Sequence, residues 1–70
     1  MDPDTNLTEQ LTLARAINEA WDNVNEDGTL TEEQQKEVAW QADTLAELVL
    51  ALHQWLEKGG FPPKLWKKEA

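Results

Sequence analysis

Cysteine, serine and tyrosine are absent from this chain, and histidine and phenylalanine occur once each. Without cysteine there is no disulfide, thiolate nucleophile or Cys-rich metal site, and nothing points to an oxidising compartment. The missing Ser and Tyr remove two further nucleophiles, leaving Thr, Lys, carboxylates and His53 for covalent chemistry. No enzyme activity, cofactor or metal is therefore expected. Cations are also scarce: six Lys and Arg face fourteen Asp and Glu, a net charge of -8. Phosphate-backbone binding needs clustered cations, so direct nucleic-acid binding is not expected. Long apolar runs are missing as well. The longest, Leu48–Leu52, is far too short for a membrane span. Met1-Asp2-Pro3-Asp4 is acidic where a secretory signal would be basic, so the expectation is a cytoplasmic protein with no membrane contact.

What is present suits one small helical domain, residues 1–70: 40% of the residues are apolar and 29% charged. Leu7, Leu11, Ala14, Ile17, Trp21 and Val24 recur at spacings of three and four, which predicts a helix over about 5–22 with Asp4 or Thr5 as N-cap. Val38, Ala42, Leu45, Leu48, Val49, Leu52 and Leu56 predict a second helix over about 32–57. Thr31 and Gln34 fit a capping box at its start, and Gly59-Gly60 supply its stop. Asn23, Asn25, Asp27 and Gly28 between them are turn formers. The expected architecture is an all-α antiparallel helical hairpin with a C-terminal tail folding back.

Charge divides along the same line. Residues 1–57 hold thirteen acids and two bases, -11, whereas the Gly/Pro/aromatic tail 58–70 holds four bases and one acid, +3.

Burying roughly 60% of a chain of 8.0 kDa contributes on the order of 100 kcal/mol from apolar area, and ordering its residues costs about the same. A lone hairpin is therefore marginal, and completion as a dimeric four-helix bundle is the expected remedy. The second helix, about 39 Å long against about 27 Å, should overhang near Leu52, Trp55 and Leu56. Phe61, Leu65 and Trp66 of the tail, or a second chain, should cover that overhang.

Two local patterns invite chemistry. Asn23 to Gln34 resembles an EF-hand loop, with Gly28 at position 6 and Leu30 at position 8. Charge fails where calcium needs it, because position 1 is Asn23 and position 12 is Gln34. Asp27 is the only carboxylate among the expected side-chain ligands. A degenerate calcium-binding hairpin is thus a weak alternative to a simple turn. His53 lies one turn from Glu57, close enough to pair, but has no nucleophile or second ligand. It reads as a half-buried structural histidine. Glu32, Glu33, Glu37, Asp43 and Glu47 fall on what should be the solvated side.

The four tryptophans say more. Trp21 lies on the first stripe and is expected in the core. Trp40 sits about 200° from Val38 at 100° per residue, and Thr44, Ala51 and Trp55 extend an apolar strip along that flank. Trp is over-represented among binding hot spots. Trp40, Thr44, Ala51 and Trp55, with Phe61 and Trp66 of the tail, are the candidate partner-binding residues.

The segment Leu52-His53-Gln54-Trp55-Leu56-Glu57-Lys58-Gly59-Gly60-Phe61-Pro62-Pro63-Lys64-Leu65-Trp66 resembles the C-terminal tail of small helical proteins encoded by actinobacteria and their bacteriophages. Trp55, Gly59, Gly60, Phe61, Pro63 and Trp66 carry the pattern, which covers about a third of the chain. The resemblance implies a small helical protein living in the host cytoplasm, with no enzyme activity, cofactor or named partner. The expected function is protein-protein interaction, with itself as a homodimer or with a host protein. The alternative is an acidic mimic of nucleic acid that blocks a DNA-binding protein, with the acidic body supplying the field.

Overall fold

The computed structural model describes residues 1–24 and 26–66. Helix α1 spans Pro3–Asp22 and α2 spans Glu32–Glu57, followed by one 3₁₀ turn at Lys64–Trp66, with no strand among the described residues. The two helices pack antiparallel as a hairpin measuring 46 × 27 × 14 Å.

Helix α1 starts two residues earlier than its apolar spacing predicts. Asp2, in extended backbone, accepts from the N–H groups of Asp4 at 3.0 Å and Thr5 at 3.3 Å. Pro3 follows at the first helical position, where its missing N–H would have had no partner anyway. At α2 the expected capping box forms: Gln34 N–H donates to the Thr31 hydroxyl at 3.1 Å, and Thr31 N–H donates to Gln34 Oε1 at 2.8 Å. The helix ends in a Schellman motif. Gly59 N–H donates to the Leu56 carbonyl and Gly60 N–H to that of Trp55, with Gly59 at φ 89°.

Most of the stripe expected on α1 is covered: Leu7 is buried, and Leu11, Ala14, Ile17 and Val24 are half-buried. Pro3, Asn6, Gln10, Leu13, Ile17, Ala20 and Val24 are buried or half-buried, as are Gln34, Val38, Gln41, Leu45, Leu48, Leu52 and Trp55 on the α2 side. Both series alternate spacings of three and four, the repeat of a coiled-coil seam. Three glutamines and an asparagine occupy it, polar side chains that an apolar-only reading of the stripe passes over. Trp21 is the casualty: it is 54% exposed rather than core, because it stands opposite the first turn of α2, where the partner helix has barely begun. Ala42 and Val49, also expected on the stripe, are exposed.

Asn6 fixes the register. Its Nδ2 donates to the Leu48 carbonyl at 3.0 Å, and its Oδ1 accepts from Gln10 Nε2 at 2.6 Å. With Asn6 level with Leu48, Pro3 stands near Ala51, and only the last six residues of α2 run past α1. The overhang thus falls on the expected Leu52, Trp55 and Leu56, although Leu52 is covered and only 3% exposed.

The tail does fold back, and of the expected residues Phe61 meets Trp55 and Trp66 stands beside Leu52 and Leu56. Trp55 Nε1 donates to the Phe61 carbonyl at 2.9 Å, the two rings meet edge to face at 5.5 Å, and Lys64 N–H donates to Asp4 Oδ1 at 2.6 Å. Pro63 and Pro3 are the fully buried side chains here, whereas Phe61, Leu65 and Trp66 stay exposed. Rigid prolines suit this place because they fill space and bring no N–H that must be satisfied. A Cβ on Gly60 would fall inside the Trp55 indole.

Two outcomes follow. Gly60→Ala should lower stability by about 1–3 kcal/mol through overpacking, seen in thermal melts as a lower Tm. An unchanged Tm would mean that the tail does not dock on Trp55. The Asp2 carboxyl is held below its ordinary 3.8, first by the Thr5 hydroxyl and then by the Thr5 N–H. Because its folded pKa is the lower one, this contribution is complete above the ordinary carboxylate range and is lost as pH falls through the lowered value. Asp2→Asn keeps a capping oxygen without that titration, so its Tm should fall less steeply than that of the wild type below about pH 4. Parallel Tm curves would refute this role.

Candidate functional site

A two-helix hairpin is one layer thick, so each half-buried seam residue has an open side. Trp40, 59% exposed, stands on one flank of α2 beside half-buried Thr44, and with Glu9, Thr12 and Leu13 of α1 they line a groove of about 230 Å³. Leu13 was missed by the stripe reading, since it lies beyond the column that runs through Leu7, Leu11 and Ala14. Glu33, Glu37 and Glu47 fall on the same flank at 100° per residue, and all three are exposed. The groove is apolar at its floor and acidic at its rim.

On the opposite face Gln10, Val49, Leu52, His53, Leu56 and Trp66 line a second groove of about 210 Å³. Val49 is 46% and Trp66 51% exposed. The signal for this face was already present in the apolar spacing of Val38, Ala42, Val49 and Leu56. Periodicity alone assigns it to the core, because a helix stripe facing its partner and one facing open space have the same period.

The six candidate residues therefore do not form one surface. Trp40 and Thr44 share a groove, and half-buried Ala51 continues their flank. Trp55 and Phe61 engage each other where the tail folds back. Trp66 lies on the other face. Both grooves are smaller than the roughly 300–1,000 Å³ of ordinary small-molecule sites.

The inter-helix loop is occupied with its own hydrogen bonds. Asp27 Oδ1 accepts from Thr29 N–H at 3.0 Å and from the Thr29 hydroxyl at 2.6 Å. These bonds, the hydroxyl first, hold the Asp27 carboxyl below its ordinary range. Gln34, at position 12 of the EF-hand pattern, is engaged in the α2 cap. Gly28 takes the positive φ of 79° that its turn position demands. Asn25, position 3, lies outside the described residues. Among the described residues no three His, Asp or Glu side chains converge to hold a metal. His53 pairs with Glu57 at 2.5 Å as its spacing predicts, but both side chains are about two-thirds exposed. It is a surface pair, not the half-buried histidine expected.

No helix among the described residues is long and apolar enough to cross a membrane. Comparison with protein-family models, curated proteins and solved structures returned no match.

A loop with one suitably placed carboxylate should show no calorimetric response to calcium below the millimolar range. A dissociation constant tighter than that would make the loop a functional site.

Proposed function

We propose that this chain is a non-enzymatic protein that works by protein-protein contact, pairing with a second copy into a four-helix bundle and holding a host protein against the Trp40 groove. Its setting is the cytoplasm, that of the host cell if the chain is phage-encoded. The observation that carries this reading is an exposed Trp40 over a groove floored by Leu13 and Thr44. A large aromatic gains by leaving water, and one beside a preformed apolar depression is the usual anchor of an interface. The acidic rim selects a partner that presents an apolar side chain flanked by cations. Shallow grooves and, among the described residues, a single exposed His53–Glu57 pair support binding rather than catalysis.

The second reading, an acidic nucleic-acid mimic, draws on the exposed Glu32, Glu33, Glu37, Asp43 and Glu47 along α2. It differs in its response to salt, since many distributed charges are screened together while one desolvated aromatic is not.

Trp40→Ala should leave helicity unchanged and weaken partner binding by at least about thirtyfold, the scale of a hot spot. The measurement is capture from an actinobacterial lysate followed by titration of the retained protein at low and moderate salt. Retention by Trp40→Ala equal to wild type, with affinity collapsing in salt for both, would overturn the groove reading in favour of the mimic.

A further inference from the structure

We infer that the face opposite Trp40, built on Val49, Leu56 and Trp66, is where a second copy of this chain packs. The inference rests on the reading of the chain as a self-pairing protein and adds which face does the pairing. Two observations select both the occupant and the face.

The first is area. The chain exposes 5519 Å², whereas a compact monomer of its mass exposes about 4,450 Å². The excess, about 1,100 Å², matches the roughly 800 Å² that each partner buries in an interface of standard size. That excess is large enough for one such interface, as expected for a single helical layer that has no second layer to pack on.

The second is charge. In a two-fold dimer each surface patch meets its own copy, so a patch rich in one sign repels itself. The Trp40 flank carries Glu9, Glu33, Glu37 and Glu47, and pairing it with itself would set these carboxylates against one another. On the other flank, the α2 positions around Val49 and Leu56 are Gln35, Val38, Ala42, Ala46 and His53. None is acidic. Helix α1 adds Leu11 and Arg15 to that side, with Asp4 and Asp22 towards its two ends, the tail adds Trp66, and Glu57 at the edge is paired with His53. The centre of this face is apolar and its few carboxylates are peripheral, so it meets itself at a lower like-charge cost than the Trp40 flank would. The Trp40 groove then remains open on the outside of the bundle.

Sedimentation equilibrium of the full chain tests this, with circular dichroism confirming helicity for each variant. Wild type should be dimeric, and Val49→Glu should weaken self-association at least about tenfold. Val49 is close to half exposed, so the charge is tolerated in the separate hairpin. Trp66→Ala, which lies outside both helices, should weaken it in the same direction. Trp40→Ala should stay within about twofold of wild type. Dissociation by Trp40→Ala with Val49→Glu still dimeric would overturn the face assignment while leaving the dimer standing. A wild type that remains monomeric at hundreds of micromolar would overturn the dimer itself.

Discussion

The buried side chain of Asn6 sets the geometry from which the rest follows. A hairpin of two helices has a single seam, and apolar side chains alone allow the helices to slide by a turn at little cost. The bond from Asn6 Nδ2 to the Leu48 carbonyl, with Gln10 completing the Asn6 acceptor, removes that freedom, because a slipped register would strand a buried amide. Gln41 adds a further polar side chain to the same seam, its Oε1 buried without a hydrogen-bond partner. The seam thus gives up some apolar burial and gains a defined alignment of the helices.

That register determines what the tail must do. With Pro3 near Ala51, the last turns of α2 pass the start of α1 and leave Trp55 with one side uncovered. The Schellman stop at Gly59 turns the chain, and Gly60 allows the indole to lie against the backbone. Phe61 then meets Trp55 by carbonyl and by ring, Pro63 fills the end, and Asp4 accepts the Lys64 N–H. Both ends of the chain are thereby tied at one end of the hairpin. Lys67, Lys68 and Glu69 of the basic tail lie outside the described residues.

Much of the local structure was legible from residue chemistry. The Thr31–Gln34 capping box, the Gly28 turn and the Gly59 stop depend on neighbours within a few positions, so short-range rules find them. The start of α1 was misplaced by two residues because Asp2 and Pro3 carry no apolar periodicity, even though together they make a better cap than Asp4 or Thr5. Trp21 and Val49 depart from the expected core for a different reason. Periodicity reports that a residue lies on an apolar stripe, but not whether anything stands opposite it. In a molecule one layer thick that difference separates core from surface.

The candidate surface shows the same division. Trp40 and Thr44 were found because they break the main stripe in a consistent direction. Trp55 and Phe61 turned out to satisfy each other, and Trp66 joined the opposite groove. The sequence by itself determined two helices, their caps, the turn and the partition of charge, since each is set by local backbone preference or by composition. Only the tertiary structure decided which face of each helix is covered, how far α2 overhangs α1 and where the tail lands. Those outcomes depend on one buried amide choosing a register across 42 residues of chain, a contact that no local pattern encodes.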